Sequence, residues 1–202
     1  MNNRAVAKPT HERKKNEAYY TDERVALACV RYMAEYIRPD RILEPSVGGG
    51  AFVRACREVW PDAHITGVDV DPGASGLAEC DEAFVGSFTE FKSPKPFNLV
   101  IGNPPFSLAA KHIHHAIGTL HEWPRLAVVA MLLPSSFCGG ASTRGWFHEA
   151  YGAPLRRCTI HPRPSFTGGG TAAMEYELMV WSNAEHNKRG NTYINWKKEQ
   201  QQ

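Results

Sequence analysis

Four consecutive residues, Asn103-Pro104-Pro105-Phe106, combine groups that can activate an amine. They directly follow the apolar run FNLVIG, so we expect them at the carboxyl end of a sheet strand, where open α/β folds bind ligands. Each proline fixes its own φ and pushes the preceding residue towards extended geometry, which predicts a stiff, projecting turn. Because Pro105 has no N–H, strand pairing is interrupted there and the carbonyl of Pro104 is available to a ligand.

The amide oxygen of Asn103 and the carbonyl oxygen of Pro104 can converge as two acceptors on one NH₂ group. This suits a conjugated amine, whose delocalised lone pair is a poor nucleophile until two acceptors draw it towards tetrahedral geometry and stabilise the developing positive charge. Phe106 offers a flat surface on which a base can stack, worth about 1–3 kcal/mol. The tetrapeptide therefore predicts group transfer to an exocyclic amine. The alternative is a structural Pro-Pro turn with a buried phenylalanine.

A second segment, Glu44-Pro45-Ser46-Val47-Gly48-Gly49-Gly50-Ala51-Phe52, leaves a predicted strand and enters a predicted helix. Its glycines allow the backbone to approach a ligand that a Cβ would push away. Asp69 ends the next predicted strand, where a carboxylate can accept hydrogen bonds from ribose hydroxyls. Val53 stands where a nicotinamide-binding fingerprint needs a small residue, which disfavours a pyrophosphate ligand. Loop and acid together predict a cofactor site, the alternative being a tight turn in an unrelated α/β domain.

The elements that must position these residues are short apolar runs alternating with helical segments. The predicted strands are 41–45, 64–70, 82–88, 97–103 and 126–134, and the predicted helices are 22–37, 50–59, 107–121 and 141–150. This alternation predicts an α/β fold with a mostly parallel, doubly wound sheet covered on both faces. Two later runs, 155–161 and 174–182, flank Gly168-Gly169-Gly170 and predict an antiparallel hairpin at the sheet edge.

Length and composition predict one domain with polar ends. The chain has 202 residues, 43% hydrophobic and 22% charged, which is average for a soluble globular protein. Residues 1–17 and 184–202 are predicted to be flexible segments, leaving 18–183 as the domain. We find no apolar run of membrane-spanning length and no signal-peptide core, so we expect no membrane association and a cytoplasmic location.

Cysteine and histidine usage does not predict a metal site. The five cysteines are widely spaced without a CxxC pair, and we interpret them as reduced thiols. His112 and His115 fall on one face of a predicted helix, and we interpret them as packed or solvated side chains rather than as metal ligands.

The charge distribution suits a polyanionic partner without specifying one. The formal net charge is only +2, but basic residues cluster near both ends of the chain and late in the sequence. Four arginines are predicted to contact phosphates, which positions a duplex without reading its sequence. They are Arg144, Arg156, Arg157 and Arg163.

With these residues in view, the chain resembles the S-adenosylmethionine-dependent N6-adenine DNA methyltransferases of the Asn-Pro-Pro-Phe type, over roughly residues 18–182. Residues 103–106 match the catalytic tetrapeptide of that family fully, and residues 44–52 resemble its Asp-Pro-x-x-Gly-x-Gly-x-Phe loop. Tyr19-Tyr20-Thr21 resembles its (Tyr/Phe)-x-Thr-Pro element, which touches the methionine end of the cofactor, although Asp22 stands where proline is usual. The resemblance implies a Rossmann-like methyltransferase fold and S-adenosylmethionine as the cofactor.

The resemblance also implies roles for individual residues. The implied cofactor-binding residues are Tyr20, Thr21, Glu44, Pro45, Ser46, Gly48, Gly50, Phe52, Asp69, Ser87, Phe88 and Asn103. Ser87 replaces the aspartate with which the family reaches the adenine amine of the cofactor, so this contact departs from the pattern. The implied catalytic residues are Asn103, Pro104, Pro105 and Phe106. Phe106 and Phe166 are implied to form aromatic walls around the target base.

The implied function is methyl transfer from S-adenosylmethionine to the exocyclic amine of adenine in double-stranded DNA, with the target base flipped out. Few residues remain outside the catalytic fold, so we expect loose sequence specificity and a small orphan enzyme of the phage or mobile-element kind. The sequence indicates neither a recognition site nor an oligomeric state.

Three alternative acceptors use a similar amine: adenine in RNA, the cytosine amine in DNA, and the side chain of a protein glutamine. The glutamine enzymes lack the Tyr-Tyr-Thr element and usually carry a helical domain ahead of the glycine loop. A different class of function, a non-catalytic cofactor-binding subunit, is the remaining alternative. The complete tetrapeptide argues against it, because a subunit without chemistry has no use for that strained turn.

Overall fold

The computed structural model describes residues 21–120, 127–139, 147, 150–151, 153–164, 174–182, 190–195 and 197. These residues form an eight-stranded sheet with helices on both faces. The strands are β1 (Arg41–Glu44), β2 (His64–Asp69), β3 (Glu82–Val85), β4 (Leu99–Gly102), β5 (Val128–Pro134), β6 (Arg156–His161), β7 (Tyr176–Ser182) and β8 (Gly190–Asn195). The helices are α1 (Glu23–Ala34), α2 (Ala51–Val59) and α3 (Ala109–Leu120).

The strand order is β3-β2-β1-β4-β5-β7-β6-β8. Strands β1 to β5 pair in parallel, and β7 lies antiparallel between β5 and β6. This topology confirms the predicted α/β fold, with a mostly parallel, doubly wound sheet and an antiparallel hairpin. In this order β2 and β3 lie on one side of β1, and β4 and β5 lie on the other. The carboxyl ends of β1, β2 and β4 therefore meet at the point where the order switches, which is where open α/β sheets bind ligands.

Two apolar clusters hold the helices against the sheet. Strand side chains alternate between its faces, so Ile42 of β1 packs with α1 and α2 while the neighbouring Leu43 packs with α3. Helix α1 begins at Asp22, whose carboxylate accepts a hydrogen bond from the backbone N–H of Arg24 at 2.9 Å. Such an N-cap satisfies one of the unpaired donors at the helix start. No helix within the described residues has the length and apolar character needed to cross a bilayer.

Strand β8 corrects the prediction of a flexible tail at residues 184–202. Residues 190–195 pair in parallel with β6, from Arg156 opposite Gly190 to His161 opposite Asn195. Ile194 is 5% exposed and joins the cluster that contains α1. The short GNTYIN run carries too few apolar residues for its pattern to stand out from a polar tail. The predicted hairpin therefore does not form the sheet edge, because β6 has a neighbour on each side.

The predicted buried strand over 82–88 is also corrected. Strand β3 ends at Val85, and all four of its residues are exposed at the edge of the sheet. Residues 88–90 form a short 3₁₀ turn instead, which buries Phe88. The predictions for residues 1–17, for the glycine run 168–170 and for nearly all of the helix 141–150 lie outside the described residues.

Candidate active site

The carboxyl ends of three neighbouring strands bring the main predicted site residues together. Glu44 is the last residue of β1, Asp69 is the last of β2, and Asn103 directly follows β4. Because β2, β1 and β4 are adjacent and parallel, these three side chains belong to one edge of the sheet. The sheet thus assembles the predicted cofactor acid and the predicted acceptor of the amine from distant parts of the chain.

The glycine loop has the conformation that its sequence predicts. Gly48 and Gly50 have φ angles of 50° and 83°, in the left-handed region that favours glycine. Asp69 supports this loop directly, since its Oδ2 accepts a hydrogen bond from the N–H of Gly48 at 2.8 Å. Its Oδ1 accepts from the N–H of Asp71 at 2.9 Å. Asp69 therefore shapes the loop, in addition to the ribose contact predicted for it.

Gly76 is a site residue that the sequence analysis missed. Its N–H donates to the carbonyl oxygen of Gly48 at 3.1 Å. A Cβ built at Gly76 would lie 2.4 Å from the Cα of Gly50, and one built at Gly50 would lie 2.8 Å from the Cα of Gly76. The two glycines thus pack backbone against backbone beneath the loop. The sequence offers no local signal for this contact, because it joins two separate segments of the chain.

Arg54 on α2 ties the glycine loop to its surroundings. Its Nη2 donates to the carbonyl oxygen of Gly49 at 2.8 Å, and its Nε donates to Glu23 of α1 at 3.2 Å. It also pairs with Glu79, at the end of the 3₁₀ helix Ser75–Glu79 that contains Gly76. Exposed ion pairs contribute little stability singly. This guanidinium nevertheless connects three segments around the loop.

Glu44 is a buried carboxyl group with an unsatisfied oxygen. The residue is 3% exposed, and its Oε2 has no hydrogen-bond partner. Burial raises its pKa well above the ordinary value, the charge of Asp69 raises it further, and a backbone hydrogen bond from Val53 opposes both effects. Buried polar atoms without partners are rare in native proteins. Among the described residues, this oxygen is left available to a polar group of a ligand.

We predict that Glu44→Gln stabilises the fold at neutral pH. Because the native pKa lies above the unfolded value, the unfolded chain releases the proton of Glu44 first as the pH rises past the ordinary value of 4.5, which costs native stability. Glutamine keeps the shape and an acceptor for Val53 but has no proton to release. The melting temperature of the variant should match wild type near pH 4 and exceed it increasingly towards neutrality.

Thermal denaturation between about pH 4 and pH 8 measures this difference. Glu58→Gln is the matched control, because that exposed carboxylate of α2 makes only a surface ion pair with Arg31. A gain in melting temperature that is the same at every pH would contradict the prediction.

The amide of Asn103 forms a hydrogen bond through its nitrogen, whereas no described residue bonds its oxygen. Its Nδ2 donates to the hydroxyl oxygen of Thr21 at 3.1 Å. Its Oδ1 is buried and has no hydrogen-bond partner within the part of the chain that the structure describes. The oxygen that is predicted to accept an amine is therefore without a donor among the described residues.

Phe106 and Tyr176 form an aromatic pair beside the tetrapeptide. Their ring centroids are 5.8 Å apart and the rings are inclined by 41°. Phe106 is half-buried and packs at the margin of both apolar clusters, whereas Pro104 is buried. Tyr176 is the first residue of β7 and lies opposite Pro134 at the end of β5. The sequence predicts the strand of Tyr176 but indicates no role for this residue at the site.

The structure places two predicted cofactor residues in the core. Phe52 is 1% exposed and Phe88 is 2% exposed. The ring of Phe88 meets the rings of His112 and His115 edge-on, with centroid distances of 5.2 Å and 4.9 Å. Phe52 packs in the cluster with α1 and α2, and Phe88 packs in the cluster with α3. Ser87 follows β3, and its hydroxyl shares a 2.9 Å hydrogen bond with that of Thr89.

The remaining predicted residues differ in how far the structure describes them. Pro45 is buried, and Ser46 is half-buried with its hydroxyl donating to the carbonyl oxygen of Pro45 at 2.7 Å. Tyr20 and Phe166 lie outside the described residues.

The histidines of α3 have separate environments. His112 is 5% exposed, and burial lowers its pKa to about 4. His115 instead places its Nε2 at 2.8 Å from the carbonyl oxygen of Phe91, and His114 bonds to the hydroxyl of Tyr151. Within the part of the chain that the structure describes, no group of three or more His, Cys, Asp or Glu side chains is arranged to hold a metal ion.

Two of the arginines predicted to contact phosphates have partners within the protein. The guanidinium of Arg157 donates to Glu177 at 2.7 Å and to the carbonyl oxygen of Ser135 at 3.1 Å. Arg156 lies over the ring of Tyr36, 4.1 Å from its centroid. Sequence clustering of basic residues does not distinguish such internal contacts from a binding surface. Arg163 is exposed, and Arg144 lies outside the described residues.

Comparison with known proteins identifies methyltransferases as relatives, although no protein-family model matches the chain. Type II methyltransferase M.CvrRI of Paramecium bursaria Chlorella virus XZ-6E is 39% identical over 71 residues, which cover 34% of this chain and 19% of that protein. Type II methyltransferase M.TthHB8I of Thermus thermophilus is 34% identical over 97 residues, covering 46% and 23%. A release factor glutamine methyltransferase of Deinococcus radiodurans is 30% identical over 77 residues, covering 35% and 28%.

Solved structures share the fold. A type I restriction-modification methyltransferase subunit from Streptococcus thermophilus aligns with a TM-score of 0.64 and 12% identity, over 83% of this chain and 45% of that chain. The candidate RNA methyltransferase PH1948 of Pyrococcus horikoshii aligns with a TM-score of 0.63 and 16% identity, over 83% and 88%. The Rossmann-like methyltransferase fold and the predicted resemblance are thereby confirmed. The matched regions span less than a third of the length of each curated relative.

Proposed function

We propose that this chain transfers the methyl group of S-adenosylmethionine to the exocyclic amine of adenine in DNA. The observation that carries the proposal is the unpaired, buried Oδ1 of Asn103, which lies after β4 beside the strands that end in Glu44 and Asp69. An acceptor kept without a partner at a ligand-binding edge suits a substrate that brings its own donor. The type II methyltransferases among the relatives support DNA as the substrate.

The residues at the glycine loop fit the cofactor. Gly48 and Gly50 have left-handed φ angles and Gly50 packs on Gly76, so the loop is held in place with no side chain on its three glycines. Asp69 keeps lone pairs for ribose hydroxyls after its two backbone contacts, because an ionised carboxylate has about four acceptor sites. Val70, directly after Asp69, is 57% exposed and offers apolar surface for a purine. The unsatisfied oxygen of Glu44 is available to a polar group of the ligand.

The chemistry that this chain supplies is positioning and charge stabilisation. S-adenosylmethionine, when bound, provides an electrophilic methyl group on a sulfonium. Asn103 accepts a hydrogen bond from the target NH₂ through Oδ1, and the carbonyl of Pro104 accepts the second. These acceptors localise the nitrogen lone pair and stabilise the positive charge that grows on nitrogen during transfer. The methylated amine is acidic enough to lose a proton to water, so no strong base is required.

The target base must leave the duplex to reach Asn103. Phe106, half-buried against Tyr176, provides an aromatic surface on which the extruded base stacks. Stacking offsets part of the cost of unpairing, which is on the order of a few kcal/mol. We propose double-stranded DNA as the partner, with loose specificity.

Incubation of the chain with methyl-labelled S-adenosylmethionine and each candidate substrate tests this function. Duplex DNA, RNA and a glutamine-containing release factor are compared, because one relative is a glutamine methyltransferase. Label should enter DNA and appear as N6-methyladenine after digestion to nucleosides. Label in RNA or protein alone would overturn the proposal. Sequencing of modified DNA then shows whether the methylated adenines share a motif.

We predict that Asp69→Ala weakens S-adenosylmethionine binding by about tenfold to a hundredfold. The variant removes a charged acceptor, which contributes about 1.5–3 kcal/mol, and releases the N–H of Gly48 from its 2.8 Å contact. Titration calorimetry measures the change. Asp71→Ala is the matched control, because that exposed carboxylate contacts only the N–H of Gly73 among the hydrogen bonds seen at its side chain. Equal affinities for the two variants would place the ribose contact elsewhere.

A further inference from the structure

We infer that Thr21 is a positioning residue that holds the Asn103 amide by its nitrogen while Oδ1 accepts from the substrate, an inference that rests on the proposed function. The hydroxyl oxygen of Thr21 accepts the Nδ2 hydrogen of Asn103 at 3.1 Å across 82 positions of sequence. The opposite end of the same amide is the buried, unpaired Oδ1. The resemblance to known methyltransferases implied only a contact between Thr21 and the cofactor.

An asparagine side chain needs such a partner because its two ends have nearly the same shape and opposite chemistry. The oxygen accepts hydrogen bonds and the NH₂ donates them, so a half-turn of the amide exchanges an acceptor for a donor. A rotated Asn103 would present its NH₂ to the NH₂ of the substrate, and two donors cannot bond. The hydroxyl of Thr21 can accept from Nδ2 or donate to Oδ1. Once the substrate NH₂ occupies Oδ1, the hydroxyl supplies the acceptor that Nδ2 still needs and so holds the productive orientation.

Thr21 directly precedes two residues that connect α1 to the glycine loop. It precedes Asp22, which caps α1 and also accepts from the guanidinium of Arg24 at 2.7 Å. The next residue, Glu23, pairs with Arg54, which donates to the carbonyl oxygen of Gly49. The hydroxyl that orients Asn103 is thus held by α1 and, through one arginine, by the glycine loop.

Thr21→Val is the direct test, because valine keeps the branched shape and removes the acceptor. We expect kcat to fall by about tenfold, the factor that corresponds to a hydrogen bond of about 1.4 kcal/mol. The Kd for S-adenosylmethionine and the KM for DNA should change little, since neither depends on the direction of the amide. Thr21→Ser keeps an oxygen at the same position and should restore most of the turnover.

Two kinetic outcomes would overturn the inference. A weaker Kd for S-adenosylmethionine with unchanged kcat would make Thr21 a cofactor contact alone. A serine variant as slow as the valine variant would mean that the methyl group of Thr21, and not its hydroxyl, matters.

A second measurement separates failure of this inference from failure of the proposed function. The side-chain NH₂ of Asn103 gives a pair of proton–nitrogen NMR signals, assigned by their loss in Asn103→Asp. Loss of the Thr21 hydrogen bond in Thr21→Val should move one of these proton signals upfield without any substrate, and Thr21→Ser should retain the wild-type shift. Unchanged signals in Thr21→Val would refute the positioning role. The expected shift together with no methyl transfer by wild type would refute only the function.

Discussion

Replacing Asn103 with alanine is expected to slow methyl transfer by about 10²–10³-fold while S-adenosylmethionine still binds. The magnitude follows from the loss of one preorganised group that stabilises transition-state charge. In this structure the loss is that of the acceptor that Oδ1 provides, since the amide nitrogen is already bonded to Thr21. The glycine loop and Asp69 do not depend on this side chain for their described contacts, so cofactor affinity should be nearly unchanged.

Single-turnover kinetics with labelled cofactor measures the rate, and calorimetry measures the affinity. Asn103→Asp is the informative comparison, because a carboxylate keeps acceptors at the same position. It should retain more activity than the alanine variant. Turnover in Asn103→Ala equal to that of wild type would show that the amine is activated elsewhere, and the proposed function would then lose its main support.

Gly76→Ala should disrupt cofactor binding even though the residue need not touch the ligand. The new Cβ would lie 2.4 Å from the Cα and 2.5 Å from the N of Gly50, and backbone cannot give way as a flexible side chain can. Overpacking of this kind costs about 1–3 kcal/mol of stability. A displacement of about 1 Å in the glycine loop would reduce productive binding by about a hundredfold.

Gly118→Ala in α3 is the matched control, because its added Cβ meets no described atom within 4 Å apart from its chain neighbours and the backbone of its own helix. Alanine favours a helix interior over glycine by about 1 kcal/mol, so that variant should unfold at the same temperature as wild type or a higher one. Denaturant titration and calorimetry on both variants give the stability and the affinity. A Gly76→Ala protein with wild-type affinity would show that the loop and the 3₁₀ helix can separate without consequence.

The sequence predicted the parallel half of the fold because each of its strands is a short apolar run followed by a turn or helix. It predicted the site for the same reason, since the motifs at Gly48 and Asn103 follow such runs and parallel strands bring their carboxyl ends together. The resemblance then supplied roles that spacing alone could not, such as that of Thr21. Buried positions within these motifs, including Phe52 and Phe88, were harder to separate from ligand contacts, because apolar character suits both.

What the sequence could not predict depends on contacts between distant segments. Gly76 matters only because the backbone of Gly50 packs on it, and Arg54 only because three segments meet at its guanidinium. Neither residue stands in a motif. Strand β8 was missed for a related reason. Residues 190–195 form a strand because they pair with β6, whereas the local composition of GNTYIN does not indicate a strand.

The hydrogen bond from Gly48 to Asp69 has a kinetic consequence for the cofactor. Because the donor and the acceptor of this bond both belong to the protein, folding itself can bring the loop to this shape, and we expect no rearrangement of it at each encounter. Preordered sites lose less conformational entropy on association. We therefore expect the cofactor to associate in a single kinetic phase whose rate rises linearly with concentration, without the plateau that a slow opening step would impose.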